Sequence, residues 1–269
     1  MKRSFLCSIL YFVDRSKAKE SFAPTPMEKD WRSSTLDYRN YDRGYAEPSM
    51  NAADYMTRTY RWMACGLLIT FAMAYLTATT SLIYLVDSLY LVLTIAELAL
   101  VFILSSRVQN MSVQAARATF FGYALINGMV LSYYFIAFSV STLVMAFLST
   151  AVYFGLMAFY GTTTHKDLTG WGPRLMMALI ALIVTGLIGS LFGLGFGGTV
   201  LYSGIGLVVF MLLTAYDTQK LQQMYSYYAG NAELAEKASI YGALTLYLDF
   251  INIFLYVVRL LGNNSRRSS

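Results

Sequence analysis

Residues 175–194 read LMMALIALIVTGLIGSLFGL, a stretch without one charged side chain. A membrane strand alternates apolar and polar residues over about 10 positions. This run does not alternate, so it reads as helix, and ~20 helical residues are what it takes to cross the hydrocarbon core. Further runs of the same kind fill almost everything after residue 60, placing spans near 62–82, 89–106, 118–138, 142–160, 175–194, 199–219 and 240–261. The expected fold is an all-α integral membrane protein, a seven-transmembrane-helix bundle. Composition agrees: the chain is 57% hydrophobic and 13% charged, with a mean hydropathy of +0.51, far from an ordinary soluble domain.

Residues 1–58 form an expected flexible arm, 59–262 the membrane domain and 263–269 a short polar tail. Within the arm, residues 14–50 mix Arg, Asp, Tyr, Ser and Pro without a stable period, which reads as disordered or surface-lying chain. Its start, MKRSFLCSILYFV, is basic and then apolar, but no small-x-small cleavage pattern follows. That segment either lies at the membrane interface as a short anchor or hangs as a tail. Cys7 and Cys65 sit in different segments and no CxxC pair exists, so neither a disulfide framework nor a thiolate metal centre is expected. His165, in TTTHKDLTGWGP, reads as a solvated loop residue. GLGFGG at 193–198 lacks the following GK[ST] of a phosphate loop and reads as a tight helix hairpin. Gly186, Gly189, Gly204 and Gly206 are the small residues expected to pack the fifth and sixth spans. The expected partner is the lipid bilayer. No enzyme activity, resident cofactor or nucleic acid is expected.

Basic residues set the expected orientation. Arg43, Arg58 and Arg61 precede the first span, Arg107 and Arg117 flank the second turn, Lys166 and Arg174 the fourth, and Lys220 and Lys237 the sixth. The alternate connections, TSLIYLVDS, FSVS and GFGGT, contain no Lys or Arg. The N-terminus is therefore expected in the cytosol, with Arg266 and Arg267 of the tail as the dissenting charges.

Charges inside the spans carry the functional reading. Asp217 lies in LLTAYDTQKL of the sixth span and Asp249 in TLYLDFINIF of the seventh. A carboxylate at mid-membrane costs roughly 2.5–3.5 kcal/mol on insertion scales, so it is kept where it faces a bundle interior or a watery path and has a partner. Two layers are expected. Arg107, Asp217 and Asp249 can meet toward the cytosol, while Glu97 and Arg259, each about 15 Å further out at 1.5 Å per residue, can form an outer ion pair. In the seventh span Asp249, Asn252, Tyr256 and Arg259 make one polar stripe, and in the sixth Asp217, Thr214, Ser203 and Gly206 share roughly one side. The plainer alternative is that each acid snorkels or pins helix packing.

AYDTQKLQ at the end of the sixth span, LYLDFINIFLYVVRLLG in the seventh and YALINGMVLS in the third resemble the Bax inhibitor family of membrane proteins, over about residues 52–262. The resemblance implies an aspartate pair that senses pH near the cytosolic face, held by an arginine of the second helix. It also implies a pH-dependent calcium leak and, in eukaryotic members, suppression of cell death. Asp217 and Asp249 match the pair and Arg107 the arginine; Glu97 and Arg259 resemble a second acid–base pair of bacterial members. The long arm and a longer sixth loop, SYYAGNAELAEKA, depart from the compact pattern.

Two carboxylates in a low-dielectric site cannot both ionise cheaply, so they share a proton and titrate as a unit. Losing that proton leaves negative charge that loosens the helices and invites a cation. Calcium takes six to eight oxygen ligands, so Asp217 and Asp249 with Asn252 and water make a transient calcium site, with Thr214 and Tyr256 as further pore contacts. A weak site suits conduction, because the ion must also leave. The expected function is a pH-sensitive calcium leak channel or transporter. Two alternatives stay open: an intramembrane aspartyl protease, though no GxGD or PAL motif is present, and a non-transporting scaffold or regulator. A bacterial inner membrane is the expected location.

Overall fold

A computed structural model of the chain describes residues 51–193, 199–228 and 230–265. Seven helices in it are long and apolar enough to cross a membrane, as the apolar runs predict. They are α1 (Ala52–Thr79), α2 (Tyr90–Arg107), α3 (Val113–Ala137), α4 (Val140–Thr163), α5 (Gly172–Leu191), α6 (Val200–Tyr228) and α7 (Ala232–Ser265). The protein is an integral multi-pass membrane protein. The expected arm lies outside the described residues up to residue 50, as do Leu194–Gly198 of the expected glycine hairpin and Arg266 and Arg267 of the tail.

The helices outrun their apolar cores, and caps rather than hydropathy end them. Asn51 accepts from the Asp54 amide at 2.7 Å and starts α1, so the helix begins inside the stretch assigned to the arm. The Oδ1 of Asn231 accepts from the amides of Glu233 and Leu234 at 3.0 and 3.1 Å and starts α7. Such side-chain acceptors satisfy amides that have no partner inside the helix. As a result SYYAGNAELAEKA is not a long loop but the end of α6, a short turn and the start of α7. Hydropathy missed this because Glu233, Glu236 and Lys237 are charged yet sit in good helical sequence.

Helix α7 is the axis of the bundle. Every residue from Ala235 to Val258 is buried, and α1, α3, α4 and α6 pack around it. A helix that is apolar nearly all round belongs in the middle. The outer helices turn Leu68, Leu91, Ile95, Leu156 and Phe159 outward, each more than half exposed, which gives lipid its apolar contact. Helix α5 is peripheral and leans chiefly on α6.

Close helix approaches set the registers, and they fall mostly elsewhere than on the expected glycines. A Cβ at Gly161 would collide with the Ala215 carbonyl oxygen, locking α4 to α6. A Cβ at Gly128 would lie 2.6 Å from the Thr70 carbonyl oxygen, locking α3 to α1. Of the glycines expected to pack the fifth and sixth spans, Gly206 does meet the Tyr256 ring, whereas Gly204 faces open space.

Candidate functional site

Two glycine contacts fix how α6 lies along α7. Gly242 abuts Leu221, its Cβ position 3.0 Å from a Leu221 methyl, and Gly206 abuts the Tyr256 ring. On α7, Gly242, Asp249 and Tyr256 are spaced by seven residues, so Asp249 shares the face that meets α6. On α6, Gly206, Phe210, Asp217 and Leu221 fall on one face by the same rule. Asp249 lies seven residues inward from Gly242, and Asp217 four inward from Leu221. The two carboxyl-bearing positions are thus offset by only about 5 Å along the axis, at 1.5 Å per residue. Asp217 is 2% and Asp249 0% exposed. Both acids therefore lie within the α6–α7 seam, cut off from lipid.

The residues around them are buried as well. Thr214 gives its hydroxyl to the Phe210 carbonyl at 2.8 Å, and the Asn252 amide donates to the Leu248 carbonyl at 2.8 Å. Tyr256 packs its ring against Phe210 at 5.9 Å and Tyr202 at 6.2 Å. Thr214 and Asn252 are thus each turned at least partly to their own helix.

Arg107 is not part of this cluster. It is exposed at the end of α2, and among the described residues it forms no ion pair. An arginine held in the seam would have to share the burial of the aspartates, and it does not. An exposed arginine at a helix end is the arrangement that the positive-inside rule describes. Arg107→Gln is expected to leave the pH midpoint of any flux through the protein unchanged, and Arg107→Lys to behave as wild type. A shifted midpoint for Gln with failure of Lys to substitute would restore a bidentate arginine contact.

Glu97 is buried, at 1% exposure, but Arg259 is not its partner. The Asn127 amide donates to its carboxyl, and Arg259 instead stands over the Tyr256 ring, 5.3 Å from its centroid. Among the described residues no ion pair joins Glu97 to Arg259. Equal depth did not imply contact, because α2 packs on α3 rather than on α7. Glu97 opens a hydrogen-bonded chain across the bundle. Tyr247 donates to the side-chain oxygen Oδ1 of Asn127 at 3.0 Å, Thr70 and Tyr247 share a 2.6 Å contact, and the Thr70 hydroxyl donates to the Ala124 backbone carbonyl at 2.9 Å. Helices α1, α2, α3 and α7 are joined by it. Asn127 lies in the YALINGMVLS stretch, so a polar residue in an apolar run was the available signal.

A second cluster that sequence reasoning passed over closes one end of the bundle. Glu236 of α7 accepts from Arg58 of α1 and from Arg117 of α3, the latter at 2.6 Å. Next to it Lys237 bonds the Gln109 carbonyl at 3.2 Å and pairs with Glu233 at 2.7 Å. The first turns of the axial helix are thereby tied to three neighbours.

Residues 52–266 match the family described as "Inhibitor of apoptosis-promoting Bax1". The chain belongs to this Bax inhibitor family. Among its relatives is an uncharacterized protein of Deinococcus radiodurans, 44% identical over 79% of this chain and 90% of that one. The inner membrane protein YbhL of Escherichia coli K12 is 39% identical over 81% of this chain and 94% of its own. A Rickettsia prowazekii protein, RP147, is 39% identical over 78% and 89% of the two chains. As a member of the Bax inhibitor family the chain keeps its membrane domain nearly whole, and the long arm precedes the matched residues.

Proposed function

We propose that this Bax inhibitor family member is a pH-sensitive calcium leak channel or transporter of a bacterial inner membrane, with its amino terminus in the cytosol. The observation that carries the reading is the burial of Asp217 and Asp249 on facing sides of one helix seam, within about one helical turn of each other. Each proton lost with rising pH adds negative charge to the α6–α7 seam, which repels the two helices and attracts a cation. Cation flux should therefore rise as pH rises through the midpoint of the pair. Asn252, Thr214 and Tyr256 offer additional oxygen or ring contacts close by. Their few ligands make for weak calcium binding, compatible with release.

Calcium flux into liposomes holding the purified protein tests this. Asp217→Asn and Asp249→Asn carry no titrating carboxyl, so each should flatten the pH profile, and the double change should add little beyond either. Unchanged profiles in both single variants would discard the aspartate pair as the sensor, and wild-type liposomes no leakier than empty ones would discard transport itself.

A further inference from the structure

We propose that the cleft between α1 and α3 at the Glu236 end is a binding site for the headgroup of an anionic phospholipid. The cleft, of about 380 Å³, is lined by Arg58, Arg61, Trp62, Cys65, Arg117 and Glu236. Three guanidiniums face one carboxylate there, leaving two positive charges over. Glu236 occupies part of Arg58 and of Arg117, but a guanidinium carries five N–H donors. The Nε of Arg117 is buried and has no hydrogen-bond partner. Arg61 is exposed and makes no ion pair among the described residues. Forked N–H donors suit the oxygens of a phosphate.

The continuation of the cleft selects a lipid over a free anion. Arg117 stacks over the Trp62 ring at 5.0 Å, and Trp62 meets Phe121 edge-on at 5.6 Å, making an aromatic wall of the kind enriched at membrane interfaces. Below it Arg61, Cys65, Leu68 and Ala72 run down one face of α1, with Leu68 69% exposed. Arg117, Phe121 and Leu125 run down α3, with Leu125 42% exposed. Charge at the rim, rings below it and an open apolar stripe beneath match a phosphate head, a glycerol region and an acyl chain in that order. Basic pockets between spanning helices bind lipid headgroups by this chemistry. Glu236 would then tune the site, holding two arginines apart and limiting its net charge.

The test is native mass spectrometry of the full-length protein in detergent. Phosphatidylglycerol and phosphatidylcholine of identical chains are offered in turn, with inorganic phosphate as a separate competitor. Phosphatidylglycerol should be retained at least several-fold better than phosphatidylcholine. Arg61→Gln should weaken that retention about five-fold, the ratio for about 1 kcal/mol per basic residue at a membrane surface. Glu236→Gln should act in the opposite direction and strengthen it, since both arginines are released. Equal retention of the two lipids overturns the proposal. So does an unchanged Arg61→Gln, or a loss of the same size in both variants, which would mark general loosening. Displacement of the lipid by inorganic phosphate at equal concentration would assign the site to a free anion instead.

Discussion

Asn127→Leu is expected to lower the thermal stability of the purified protein more than any other exchange of a buried polar side chain for an apolar one of similar size. Asn127 gives its amide to Glu97 and takes the Tyr247 hydroxyl on its carbonyl. Leucine fills the space and serves neither. Leaving a buried polar group unsatisfied costs about 1–3 kcal/mol, and more where the group is charged. A single hydrogen bond between membrane helices averages only ~0.6 kcal/mol, so the loss should stand well above that of an ordinary helix contact. The Tyr247 hydroxyl keeps Thr70 at 2.6 Å, whereas Glu97 is left without the amide that meets it. Glu97→Gln should be mild, since an amide can still bond Asn127. Combining Glu97→Leu with Asn127→Leu should recover part of the loss, because two apolar groups replace two polar ones. Thermal unfolding in detergent across this cycle decides the matter: additive effects would show that the two side chains are not coupled.

Gly161→Val should be nearly as damaging, for a steric reason. The first atom added at Gly161 meets the carbonyl oxygen of Ala215, and a backbone atom cannot rotate away. Only displacement of α4 from α6 relieves the clash. Overpacking of this kind costs about 1–3 kcal/mol. Gly155, on the same helix, has nothing within 4 Å of its Cβ position. Gly155→Ala should therefore be neutral or slightly stabilising, since glycine inside a helix costs about 1 kcal/mol relative to alanine. Ala215 is two residues from Asp217, so Gly161→Val should also distort the pH profile of any flux through the protein. A variant that unfolds at the wild-type temperature would show that α4 and α6 are not locked at this point.

Much of the candidate site was legible in the sequence, for one reason. An acid in an apolar run is costly enough that its burial inside the bundle follows from its mere presence. Asp217, Asp249 and Glu97 were found in that way, and all are buried. Arginines are less constrained, because a long side chain near a helix end can reach the interface without cost. Arg107 and Arg259 accordingly went elsewhere: one is exposed at the end of α2 and the other lies over Tyr256. Glu236 is not legible in this way because it follows a polar stretch that reads as loop, although its partners Arg58 and Arg117 stand out as orientation signals.

The sequence by itself determined the helical class, the seven spans and the burial of Glu97, Asp217 and Asp249, since each follows from the free energy of transferring side chains into hydrocarbon. Hydropathy is a property of one segment at a time, and it is blind to which helix stands in the middle. That α7 is the axis, that Asp217 and Asp249 are buried on the two helices that share its longest seam, and that Glu97 pairs with Asn127 rather than Arg259 were decided by tertiary structure. Those outcomes depend on which faces interlock. In this bundle the interlocking is set by Gly161, Gly128 and Gly206, where the absence of a side chain lets one backbone or ring approach another.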